Sequence, residues 1–218
     1  QLSSVIYSSL EINEVLDPKA MAGRKVIQES LDWLAAHPAI GDILITGGDP
    51  MIMKDDMIAW LMESLCRIPH IHRIRLGTRT PVVLPMRWTD RLLDIVSEAH
   101  QPGMREVAVV THFEHSYEIT PEARDAVQKI KSLGIGIYNQ EVFTIHNSRR
   151  FETAKLRRDL RLIGVDPYYT FNMKGKEETR RYMVPIARIL QERKEEARLL
   201  PHRFEVEHEV FDAPVSGG

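Results

Sequence analysis

Apolar, β-branched runs recur along the chain at residues 42–46, 73–77, 106–111, 136–142, 167–172 and 204–211, each with the length and apolarity of a buried strand. Between them apolar residues fall at helical spacing: Val26, Ile27, Leu31 and Leu34; Ile58, Leu61 and Leu65; Leu92, Leu93 and Val96; Ala123, Val127, Ile130 and Leu133; Leu156, Leu160 and Ile163; Ile186, Ile189 and Leu190. Asp17-Pro18 and Thr120-Pro121 each place a capping side chain before a proline that can open a helix, and Gly134 and Gly164 stand where helices should close. The charge runs at 174–181 and 192–198 read as solvated helix faces. Strand alternating with helix predicts parallel pairing and right-handed crossovers. The expected fold class is therefore α/β, a partial (β/α) barrel of about six parallel strands forming a single domain over residues 1–218.

Composition narrows the function classes without choosing among them. The 218 residues are 43% apolar with a net charge of -2, and no apolar run approaches the roughly 20 residues of a membrane span. Near-neutral charge gives no ground for nucleic-acid binding, and no basic stretch precedes an apolar one in the manner of a secretion signal, so the cytoplasm is the expected compartment. The single cysteine, Cys66, lies among Ile58, Leu61, Met62 and Leu65 and reads as a small core residue; no disulfide can form within the chain. A small-molecule partner, with or without homo-oligomerisation, fits this profile.

In a parallel barrel, chemistry gathers at the carboxyl ends of the strands, and this chain places its polar residues there. The first predicted strand runs into Gly47, Gly48 and Asp49: two glycines that let backbone approach a ligand, then a carboxylate that can accept from an amine. The following strand ends carry GTRTP (77–81), THFEH (111–115), Asn139 with Gln140, Asn172 with Lys174, and FDAP (211–214). Arg79 points by strand register toward the mouth; pairing with a nearby carboxylate is the other reading of it.

The series GDILITGGDP, RIPHIHRIRLGTRTPVVLP, THFEHSYEIT, YNQEVF, VDPYYTFNMKG and VFDAP resembles the lysine 2,3-aminomutase family of radical S-adenosylmethionine (SAM) enzymes, over almost all of residues 12–218. The resemblance implies a radical SAM partial barrel. It also implies a [4Fe-4S] cluster that cleaves SAM reductively, and pyridoxal phosphate (PLP) that carries an amino group from C2 to C3. By motif, Gly47, Gly48 and Asp49 match the family's site for the methionine part of SAM, and His112 and Gln140 match positions near SAM. Such a zwitterion needs an acceptor for its ammonium and donors for its carboxylate.

Two departures qualify the resemblance. The family's cluster needs three thiolates, arranged as CxxxCxxC before the first helix, and the corresponding stretch QLSSVIYSSLEINEVL has none. The family's PLP lysine follows DAP and a few glycines, whereas this sequence stops at Gly218; Lys174 and Lys176 sit in a charged run that would keep them protonated. Either the cluster loop lies upstream of Gln1 or its cysteines have been replaced; a start at Gln1 without methionine favours an incomplete chain, one lacking the cluster strand and PLP-lysine segment and inactive as written.

For substrate, the resemblance sets two aspartates around a distal ammonium; Asp212 matches one, while Lys174 stands at the other and favours a carboxylate, as in the glutamate branch. Pairing of Lys174 with Asp212 is the competing reading. Two other classes remain open. One is a metal-dependent hydrolase built on His112, Glu114, His115, His146 and Asp212; the other is a cluster-less scaffold binding a nucleoside.

Overall fold

In the computed structural model the described residues are 4–5, 23–173 and 177–199. They form one sheet of six strands in sequential order, every neighbouring pair parallel: β1 (Ser4–Val5), β2 (Asp42–Ile45), β3 (Arg73–Gly77), β4 (Glu106–Thr111), β5 (Gly136–Phe143) and β6 (Asp166–Asn172). The helices are α1 (Arg24–Ala35), α2 (Asp55–Cys66), α3 (Thr80–Val83), α4 (Asp90–Ala99), α5 (Pro121–Ser132), α6 (Glu152–Ile163) and α7 (Ile186–Leu199). β1 and β6 do not pair with each other, so the sheet is an open, partial barrel. Among the described residues no helix is long and apolar enough to cross a membrane.

Five strands lie where the apolar runs predicted them. β1 was not predicted, and the expected strand at 204–211 and the Asp17-Pro18 cap lie outside the described residues. The core forms between the helices and the outer sheet face, where Ile43, Ile74, Leu76, Val107, Val109 and Ile137 pack with Leu31, Ile58, Leu65, Leu92, Val127 and Leu160. Each such side chain removed from water contributes roughly 1.5–3 kcal/mol, so this face fixes the register that carries the mouth. Helix punctuation follows the sequence: Thr120 Oγ1 accepts from Ala123 N at 3.2 Å, and Gly134 and Gly164 take φ of 80° and 92° at helix ends.

Three expectations about helix faces need correction. Val26 is 54% exposed because α1 turns only Leu31 and Leu34 fully inward. Ile186 and Leu190 of α7 are likewise well exposed, leaving Ile189 as the buried apolar residue of that trio. The run at 192–198 is not wholly solvated: Glu192 and Glu196 are buried, because Arg188 of the same helix pairs with Glu192 and Arg157 of α6 pairs with Glu196. Charge in that run faces the sheet, where opposite charge offsets its desolvation.

One irregularity shapes the later strands. Asn139 pairs with Pro167 and Gln140 with Tyr169, so Tyr168 is an extra residue in β6, a bulge that keeps Gln140 and Tyr169 in register beyond it.

Candidate active site

The loop after β2 is built by residues from the loop after β3. Gly47 holds φ at 142°, a backbone region that disfavours a side chain, while nothing lies within 4 Å of where a Cβ on Gly48 would project. Both glycines are exposed, so backbone there is open to close approach. Asp49 turns inward: Oδ1 accepts from Met51 N at 3.0 Å and Thr78 Oγ1 at 2.6 Å, and Oδ2 from Arg79 N at 2.8 Å. A carboxylate has about four acceptor directions, and three are taken, leaving one for an incoming donor. Behind it runs a directional relay: Trp88 Nε1–H donates to Thr80 Oγ1 at 3.1 Å, and Thr80 and Thr78 hydroxyls lie 2.8 Å apart. Arg87 donates to the carbonyls of Met51 and Met53 at 2.7 and 2.9 Å. The stretch Thr78–Trp88 thus clamps the Gly47–Met53 loop.

Beyond Thr111 and Asn139 the β4–β5 ladder ends and side chains take over from backbone. Asn139 Oδ1 accepts from Phe113 N at 2.6 Å while its Nδ2 donates to Phe113 O at 3.0 Å. Glu114 Oε2 accepts from Val142 N at 2.7 Å, and Asn147 Nδ2 donates to both Glu114 O and Val142 O. These bonds hold His112 and Gln140 side by side: His112 Nδ1 lies 2.8 Å from Gln140 O, to which it can only donate. That fixes the proton on Nδ1 and leaves Nε2 as an acceptor with no hydrogen bond to a described residue. Burial lowers the His112 pKa from its ordinary 6.5, with Arg79 adding to the effect, so the ring is neutral near pH 7.

Arg79 joins the two halves. Its Nη2 donates to Glu118 Oε1 at 2.6 Å and its Nε to His112 O at 3.2 Å, so the carboxylate-paired reading of this arginine is the one observed. Glu118 Oε2 accepts from Glu114 N at 2.7 Å. Burial raises the Glu114 carboxyl to about 7. His115 is engaged elsewhere: Nδ1 accepts from Tyr117 N at 3.2 Å, and Nε2 lies 2.9 Å from Glu152.

On the outer face of β5, Glu141 is fully buried against α6. Its Oε1 accepts from Thr153 Oγ1 at 3.1 Å, Oε2 has no hydrogen-bond partner among the described residues, and burial raises the carboxyl to about 7. Arg157 nearby donates to Thr170 Oγ1 at 2.7 Å and pairs with Glu196.

Of the residues expected from sequence, Asp49, just after Gly47 and Gly48 beyond β2, and His112, just after β4, are linked through Arg79, and His112 reaches the backbone carbonyl of Gln140 within β5. Lys174 and Asp212 lie outside the described residues. Thr78, Thr80 and Glu114 lie in strand-end motifs already placed at the mouth, whereas Trp88, Glu118 and Asn147 were not expected to build it. The signal for Trp88 is its spacing from Thr78 and Thr80 within TRTPVVLPMRW; Glu118 and Asn147 bond across elements and leave no local trace. Cys66 is partly buried in α2, against the core. Among the described residues no three His, Cys, Asp or Glu side chains are grouped to hold a metal ion.

No family model matches the chain. It is 45% identical over 201 residues to an uncharacterized KamA family protein of Methanocaldococcus jannaschii, covering 92% of this chain and 32% of that protein. It is 37% identical over 160 residues to glutamate 2,3-aminomutase of Clostridioides difficile (73% of this chain, 37% of the relative), and 30% identical over 208 residues to L-lysine 2,3-aminomutase of Methanococcus maripaludis (94% and 46%). The chain thus spans less than half the length of these curated relatives. Among solved structures it resembles SuiB of Streptococcus suis bound to S-adenosylmethionine, with a TM-score of 0.59 at 10% identity, covering 85% of this chain and 43% of that one; this is a likeness of fold.

Proposed function

We infer that this chain, homologous along nearly its whole length to the lysine 2,3-aminomutase family, is the SAM-binding portion of a radical SAM amino acid 2,3-aminomutase. The observation that carries the reading is the linkage, through Arg79, of Asp49, which follows the exposed Gly47–Gly48 backbone, to His112 and through it to the Gln140 carbonyl. Open backbone at Gly48 suits the amino acid end of SAM, and a bare imidazole acceptor suits a donor on its nucleoside. Asp49 serves mainly to shape the loop, with one acceptor direction left for an ammonium.

The same test fails for the other two groups of the family. A cluster needs three thiolates and the chain has only Cys66. The described lysines, Lys25, Lys54, Lys129, Lys131, Lys155 and Lys194, lie on outer helices or, for Lys54, at a helix cap, so none is placed for a Schiff base. The stretch that corresponds to the family's cluster motif, QLSSVIYSSLEINEVL, offers no thiolate, so neither the cluster nor PLP is given a ligand or a step in this chain. The substrate is an amino acid, with glutamate preferred to lysine because a cation at Lys174 attracts a distal carboxylate. The metal-hydrolase reading is not favoured: Nδ1 of His112 and both nitrogens of His115 are already engaged.

The deciding experiment is iron analysis and absorbance at roughly 400 nm of the full-length gene product, followed by turnover of glutamate and lysine with SAM. Iron, SAM cleavage and a β-amino acid product are expected. An iron-loaded protein that cleaves SAM yet leaves both amino acids unchanged would sink the aminomutase reading; a product with zinc and hydrolase activity would sink it altogether.

A further inference from the structure

Arg79 contacts the loops of two other strands at once. Its backbone N holds Asp49 Oδ2 at 2.8 Å, its Nε holds His112 O at 3.2 Å and its Nη2 holds Glu118 Oε1 at 2.6 Å. Glu118 passes the connection on through Glu114 N, and Glu114 through Val142 N, while His112 closes onto Gln140 O. The result is a hydrogen-bonded network that joins the residues just after β2, β3 and β4 to one another and to the backbone of β5. As an ion pair alone, Arg79–Glu118 would contribute little, since the arginine side chain is 42% exposed and solvent screens such pairs. Its geometry is what distinguishes it, because a planar guanidinium can hold a carboxylate and a carbonyl in fixed relation and an ammonium cannot.

We propose that Arg79 and Glu118 form a positioning clamp that sets the distance between the Asp49 loop and His112, and thereby the spacing of the two polar ends of the ligand site. Neither side chain is assigned contact with the ligand. The proposal rests on the SAM reading for its functional consequence, though not for the clamp itself.

The test compares Arg79→Lys, Arg79→Gln and the milder Glu118→Gln in the 218-residue chain, with Arg91→Lys as control, since Arg91 pairs with Asp56 on outer helices. Two quantities are read: the His112 nitrogen shifts and titration by NMR, and SAM affinity by NMR titration. In the unmodified chain His112 should carry its proton on Nδ1 and titrate below 6.5. Arg79→Lys and Glu118→Gln should shift the His112 nitrogens and weaken SAM binding about tenfold or more, as misplacement of binding groups does, with the melting temperature little changed. Arg91→Lys should change neither quantity. If Arg79→Lys leaves the His112 nitrogens where they were, charge alone suffices and the clamp is overturned. Absence of any SAM binding in the unmodified chain counts against the SAM reading instead, and the His112 spectra still decide the clamp.

Discussion

Replacing Glu141 by Gln should change the pH dependence of stability, and the sign follows from burial. The carboxyl is wholly enclosed between β5 and α6, with one oxygen on Thr153 and the other without a hydrogen bond to a described residue, and its pKa is raised from 4.5 to about 7. Below 4.5 the group is protonated in both folded and unfolded chains and contributes no pH dependence. Between 4.5 and 7 the unfolded chain has lost the proton and the folded chain has kept it, so stability falls as pH rises. Above 7 the loss is complete, and a shift of this size corresponds to roughly 3 kcal/mol. The amide introduced by Glu141→Gln keeps an oxygen for Thr153 and has nothing to titrate. Urea denaturation of both chains from pH 4 to pH 8.5 should show similar stability near pH 4.5, with the variant more stable by up to about 3 kcal/mol at pH 8. Glu114, raised to about 7 by its own burial, titrates in the same window, so the variant's curve should be shallower without being flat. Two parallel curves across pH 5 to 8 would show that Glu141 is ionised throughout, held so by Arg157, and the burial argument would be wrong.

Asp49→Asn should cost about 2 kcal/mol by urea titration, because an amide cannot accept from Met51 N, Thr78 Oγ1 and Arg79 N together; an unchanged midpoint would mean the loop holds its shape without that charge. Arg157→Ala should destabilise the chain by roughly 3–5 kcal/mol, since it leaves Glu196 buried beside Glu141; a loss under about 1 kcal/mol would show the pair to be solvated.

The sheet was legible because its buried faces are written in contiguous apolar letters, as at Val107, Val109 and Val110, and because each crossover helix repeats its own period. The polar part of the same interior was not. Glu196 sits in a stretch that reads as surface, and its partner Arg157 is 39 residues earlier, so no local pattern joins them. Of the mouth, Gly47, Gly48, Asp49 and His112 were visible from their places beyond strand ends, and Gln140 from its motif within β5. What remained hidden is that Asp49 is largely occupied by donors from the next loop, and that Glu118, in a turn of its own, anchors Arg79. Local sequence marks where a polar group stands; which group answers it depends on the closing of the sheet.

Sequential strand order also bears on how the chain assembles. Among the described residues each strand from β2 onward pairs with the one made just before it, and none is inserted between two earlier neighbours. The sheet can therefore lengthen one unit at a time as the polypeptide leaves the ribosome, each new strand meeting a template already in place. Stalled or shortened products would then present a smaller sheet with an edge at its last strand, instead of a sheet with a gap inside it. In the same order the Asp49–Arg79 bond needs only β2 and β3 in place, whereas the bond from Arg79 to Glu118 needs β4 and the turn after it as well.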